Sequence, residues 1–135
     1  MIVLDASLVI EWLLGKDSAL TDIPYAELTQ HQIVVPSHWP YEVANALWTD
    51  IRGKKVQVER LYDIVGRLDV LDIKVKPAPN PDDIGPLAVF AATHELTAYY
   101  AGYIQLAIGR HAILATLDNA MRRAATALGV PLIPA

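Results

Sequence analysis

The apolar positions of the chain alternate between short continuous runs and longer stretches at helical spacing. Ile2-Val3-Leu4 is a β-branched and aliphatic run that stops at Asp5, and an apolar stretch from Leu8 to Leu14 follows, with Ser7 placed to cap it. Ile33-Val34-Val35 repeats the strand pattern up to Pro36. From about Tyr41 to Arg52, Val43, Ala44, Leu47, Trp48 and Ile51 recur on one side of a helix that Gly53 ends. Val58 to Leu71 reads as a further helix, Leu71 to Val75 as a strand, Asp82 to Glu95 as a helix entered through a proline-rich turn, and Thr97 to about Gly109 as another. The strand Ala112 to Leu117, the helix Asn119 to Leu128 with Gly129 as its stop, and Val130 to Ile133 complete the pattern. Strands separated by helices predict an α/β fold, a three-layer α/β/α sandwich around a mainly parallel sheet, formed by residues 1–135 as a single domain.

Ligands of such sheets gather outside the carboxyl ends of the strands. The acids at those positions are Asp5 at the end of the first strand, Glu42 in the first turn of the helix after the second, and Asp118 after the strand Ala112 to Leu117. Any one of them is accounted for by the preference of carboxylates for first helical turns. Three together repel, and a hard divalent cation such as Mg²⁺ or Mn²⁺ offsets that repulsion. Ser7, Asn45 and Thr116 lie close in sequence to the three acids and are candidates to orient them or a water; Ser7 is equally accounted for as a cap.

Composition narrows the chemistry. With no cysteine and four scattered histidines, thiolate chemistry is excluded and a zinc site is disfavoured. An apolar share of 53% against 19% charged residues is a surplus that suggests a face covered by a partner, such as a second copy. No apolar run reaches the roughly 18 residues of a membrane span, and Asp5 interrupts the N-terminal one, so a cytoplasmic protein is expected. A net charge of −4 argues against broad coating of nucleic acid, though not against holding it through a metal. Arg52, Lys54 and Lys55 form the densest basic group and read as a solvated face. Arg122 and Arg123, just past Asp118, are better placed to hold phosphate.

Val3-Leu4-Asp5-Ala6-Ser7, the Glu42-x-x-Asn45 pair, Leu96-Thr97-Ala98-Tyr99 and Ala115-Thr116-Leu117-Asp118 occur in the order and spacing of PIN domains, and the chain resembles the VapC-type toxins among them over nearly its whole length. The resemblance implies a Mg²⁺-dependent endoribonuclease that cleaves structured RNA, is inhibited by a cognate antitoxin and assembles as a homodimer, with Asp5, Glu42 and Asp118 as metal ligands. A groove beside the helix Leu8 to Leu14 would receive the antitoxin, with Trp12 as an anchor.

One position departs from the pattern. Where the family carries its third acid, at a helix start, this chain has Tyr100, whose phenol, with a pKa of about 10, is a poor Mg²⁺ ligand. Glu95, the nearest preceding acid, falls across a helix boundary. Tyr99 and Tyr103 read as helix residues packed through their rings with hydroxyls at the surface. Two readings stand: an impaired ribonuclease, or a catalytically inactive module of the same fold that binds antitoxin or RNA. A haloacid-type phosphatase would need an acid at Ser7, and a dinucleotide-binding domain a glycine-rich first turn; both are missing.

Overall fold

The computed structural model describes residues 1–14 and 25–135, with the side chains of residues 25 and 26 excluded. Five short strands, β1 (Ile2–Leu4), β2 (Ile33–Val35), β3 (Ile73–Val75), β4 (Ile113–Ala115) and β5 (Leu132–Ile133), form one sheet in the order β3-β2-β1-β4-β5. Every described pairing is parallel: Ile2 stands opposite Ile33 on one side and Ile113 on the other. Strands β1 and β2 are buried along their whole length, as a parallel sheet covered on both faces requires, and this is why they read as unbroken apolar runs rather than alternating ones.

Helices α1 (Ala6–Leu13), α2 (Tyr25–Gln30), α3 (Trp39–Arg52), α4 (Leu61–Gly66), α5 (Ile84–Thr93), α6 (Ala98–Arg110) and α7 (Asn119–Ala127) connect the strands. Helix α1 packs on α3, while α6 lies across β1 and β4 with α7 beside it and α5 outside it. The chain walks from β1 to β3 in one direction, then crosses to β4 and walks the other way, so right-handed crossovers put the two sets of helices on opposite faces. The α/β fold expected from the sequence is the one found.

Several local expectations change. Asp5, not Ser7, caps α1: its backbone is extended and its side chain accepts from Ser7 N. The helix expected over Val58 to Leu71 is α4 flanked by 3₁₀ turns at Val58–Arg60 and Arg67–Val70. Helix α3 begins at Trp39, because Pro40 fits the first turn, where its missing N–H has no partner to lose. Helix α6 passes through Gly109 and stops at His111, which takes the left-handed conformation (φ 51°) that ends many helices. Helix α2, with its mixed short sequence, carries no periodic signal.

Candidate active site

The strand order reverses between β1 and β4, and the chain leaves both strands beside one cavity of about 380 Å³. Its lining includes Asp5, Ser7, Glu42, Tyr100 and Asp118, with Ile10 and Leu117 as apolar walls. Strand pairing continues one step past the strand ends, since Asp5 N donates to Ala115 O (3.0 Å), and this brings the two aspartate-bearing turns side by side. Glu42 comes from the first turn of α3, after β2, the other neighbour of β1. Residues separated by up to 113 positions thus meet because their strands are adjacent, as the carboxyl-edge argument anticipates.

Each acid is held. Asp5 is nearly fully buried; its Oδ2 accepts from Ser7 Oγ (2.9 Å) and Thr116 Oγ1 (2.8 Å). Asp118 caps α7 by accepting from Met121 N (2.9 Å), and its own N–H donates to Thr116 Oγ1 (3.0 Å). Thr116 therefore ties two of the three acids together, and Ser7 holds the first, as their spacing suggested. Burial raises the Asp5 carboxyl above the ordinary value; the hydrogen bonds from Thr116 and Ser7 oppose this and the Asp118 charge adds to it. Glu42 is raised by burial and by the Asp5 charge, against the hydrogen bond from Tyr103. Tyr100 is raised by burial and then by Asp118, Asp5 and Glu42 in turn, so its phenol stays protonated among them.

Tyr103 departs from its sequence reading. Its ring is fully buried, and its hydroxyl lies inside the protein, donating to Glu42 Oε1 (2.9 Å) and accepting from Ala6 N (3.3 Å). One phenol on α6 thus links the start of α1 to Glu42 on α3, and burial beside those acids drives its pKa far upward. The available signal was its position one helical turn after Tyr100, on the same side of α6. His38 completes the surroundings: its Nε2 lies 3.3 Å from Glu42 Oε1 without hydrogen-bond alignment, and its ring meets Tyr99 and Tyr103 edge-on. Burial lowers its pKa. Gly102 permits this approach, since a Cβ there would stand 3.1 Å from His38 Cε1. Replacing Tyr103 by Phe keeps the ring but strands the Ala6 N–H and removes the donor to Glu42. A loss of about 1–3 kcal/mol in urea unfolding is expected, and an unchanged midpoint would mean that neither bond matters.

Other candidates are not brought to the cavity. Asn45 is exposed on α3, and its backbone carbonyl accepts from Thr49 Oγ1 (3.0 Å). Arg122 donates to Thr116 O and Pro134 O (both 2.8 Å), tying α7 to the chain end, whereas Arg123 is exposed. Both line a separate shallow cavity with Asn119 and Thr126. Trp12 is half-buried against the core.

The oxygens of Asp5, Glu42 and Asp118 have the hardness that Mg²⁺ prefers. Their arrangement is less complete than their chemistry: among the described residues no three Asp, Glu or His side chains form a ready cation-binding group. Tyr100 lines the same cavity. The donor chemistry suits a divalent ion, while the arrangement of these side chains does not by itself form a site for one.

No protein-family model matches the sequence, and no curated protein matches it either. Among solved structures the fold is similar to the crystal structure of PAE2754 from Pyrobaculum aerophilum, with a TM-score of 0.72 and 20% identity over 98% of this chain and 89% of that one. It is also similar to the crystal structure of FitAcB from Neisseria gonorrhoeae, with a TM-score of 0.64 and 20% identity over 98% and 96% of the two chains. At such identity the likeness is one of fold. No helix among the described residues is long and apolar enough to cross a membrane.

Proposed function

We propose that the chain is a PIN-like ribonuclease of a toxin–antitoxin pair, acting in the cytoplasm, whose cavity binds Mg²⁺ or Mn²⁺ through Asp5, Glu42 and Asp118 and works below full strength because Tyr100 stands where a fourth acid would complete the site. The observation that carries this reading is the meeting of three acids from three separate strand-to-helix junctions in one cavity. A divalent ion bound there supplies charge neutralisation to a phosphodiester and acidifies the attacking water. The protein's own part is positional. Ser7 and Thr116 hold the Asp5 carboxylate, Met121 N holds Asp118, and Tyr103 holds Glu42. Arg123 remains the free-standing candidate for phosphate. The test is cleavage of structured RNA in Mn²⁺ by the parent and by Asp118→Asn; cleavage by the parent that the variant loses supports the reading, and equal cleavage by both sinks it.

Tyr100 favours a second reading. A protonated phenol facing three carboxylates is suited to a module that grips antitoxin or RNA without cutting. RNA or antitoxin binding with no cleavage in either metal would select it.

The partners of this reading include a second copy. Helix α5 is apolar on every side, yet only Ala91 is buried, while Ile84 and Val89 are 65% and 67% exposed. Tyr99 at the start of the neighbouring α6 is exposed as well. Covering this face in a homodimer would remove apolar surface worth about 25 cal/mol per Å². Ile84→Lys with Val89→Lys should turn a dimer seen by light scattering at micromolar concentration into a monomer, and an unchanged mass would move the interface elsewhere.

A further inference from the structure

We propose that a second cavity, at the far end of α1, holds a phosphate of the RNA strand whose scissile bond lies at the acid site; this rests on the ribonuclease reading. The cavity has a volume of about 340 Å³ and is lined by Lys54, Lys55, Arg60 and Arg67 over a floor that includes Leu13 and Ile64. Four of the eleven Lys and Arg residues of an acidic chain converge there, and no acid is among the described residues that line it. The grouping is invisible in the sequence, where Lys54 and Lys55 read as a solvated face and Arg60 and Arg67 belong to another element.

Its position follows from the fold. Helices α1 and α3 both leave the carboxyl edge of the sheet, at Asp5 and Glu42, and pack together. Both end at this second cavity, so the surface along them runs from the acidic site to the basic one. Asp5 and Leu13 are eight residues apart, about 12 Å along a helix. A stacked strand carries one phosphate per about 3.4 Å, so the basic cavity meets a phosphate roughly three to four nucleotides from the acid site.

The lining selects phosphate over an amphipathic peptide. Leu13 and Ile64 are buried, and although Leu14 and Val56 are half-buried at its wall, the exposed lining residues are Lys54, Lys55, Gln57, Arg60 and Arg67, so what the cavity offers a ligand is mainly positive charge. Among the described residues no aromatic ring lines it, so they provide no platform for a base, and an interaction with the backbone is what remains. The carbonyl end of α1 would repel an anion. Arg67 Nη1 donates to Leu13 O and offsets that repulsion, which leaves Lys54, Lys55 and Arg60 to meet the phosphate.

The test compares the parent with Lys55→Ala/Arg60→Ala, two exposed positions, sparing Lys54, whose backbone is left-handed (φ 58°). Binding of fluorescent single-stranded RNAs of three and twelve nucleotides is followed by anisotropy over a salt series. The twelve-mer should bind the variant about tenfold more weakly at low salt, with the log–log salt slope reduced by about 0.7 for each phosphate that the variant no longer neutralises. The three-mer, too short to reach from the acid site, should bind both alike. If the parent binds the twelve-mer and the variant matches it in affinity and slope, the inference fails alone. If the parent binds no RNA, the ribonuclease reading fails and the inference with it. A polyglutamate peptide that binds the parent as tightly as the twelve-mer, and loses that binding in the variant, would make the cavity a peptide site and overturn the assignment.

Discussion

Tyr100→Asp is expected to raise both Mg²⁺ affinity and RNA cleavage, the latter by about a hundredfold or more, a change that needs only roughly 2.7 kcal/mol of barrier. The position favours a carboxylate on two counts. It is the third residue of α6, close to the positive end of the helix, with its N–H donating to Thr97 Oγ1 (3.2 Å). It also lines the cavity that holds Asp5, Glu42 and Asp118, so the new acid would complete their set. One competing arrangement is built into the same turn: an acid three residues after a capping Thr can bend back to the Thr97 N–H and close a capping box. If it does, the helix gains stability and the metal site gains nothing. Calorimetric Mg²⁺ titration separates the outcomes. Tighter binding together with faster cleavage identifies Tyr100 as the lesion. A more stable protein with unchanged binding identifies the cap, and an unaltered protein removes the metal reading of this face.

Asp5→Asn should abolish any divalent-ion stabilisation and lower cleavage by more than the 10–100-fold typical of residues that only orient a metal ligand. Its second effect appears without metal. The folded-state pKa values of Asp5 and Glu42 are raised, chiefly by burial. A raised carboxyl pKa contributes stability that is fully present below the unfolded value, 3.8 for Asp5 and 4.5 for Glu42, and is lost as pH rises through the folded value. The metal-free parent therefore carries a liability at neutral pH that the variant partly lacks. The asparagine has a cost of its own, because its amide would replace an oxygen that accepts from both Ser7 and Thr116. The difference in melting temperature, variant minus parent, should accordingly increase between pH 4 and pH 7 in EDTA and reverse in millimolar Mg²⁺. Parallel curves, or an Mg²⁺ response shared by both proteins, would place the ion elsewhere.

The sequence discloses the parts of this protein that depend on local pattern. Ile2-Val3-Leu4 and Ile33-Val34-Val35 are legible because a strand buried on both faces needs no alternation. Asp5, Glu42 and Asp118 are legible because parallel strands deliver their following residues to one edge. Tyr103 is not, since its role consists of bonds to residues 61 and 97 positions away, and a tyrosine in an apolar helix is ordinarily a packed ring. Spacing assigns the cap of α1 to Ser7 because a hydroxyl before an apolar run is the common case. Asp5 takes that role and keeps a buried carboxylate at the cavity as well, a double duty that spacing cannot reveal. Asn45 fails for the opposite reason: three residues after Glu42 it is on a nearby side of the helix, but that side is exposed.

The central place of β1 also bears on when the site comes into being. Strand β1, the earliest of the described strands, is paired on one side by residues 33–35, but its other neighbour is residues 113–115, and Asp118 lies beyond them. Closing that pairing means joining segments more than a hundred residues apart, the slow kind of step in folding. A chain emerging from the ribosome can pack α1 on α3 and bring Asp5 towards Glu42 long before it owns a third acid. The cavity cannot be complete until β4 has joined β1 and brought Asp118 with it, and a partner that binds near α1 or α3 has that interval in which to arrive first.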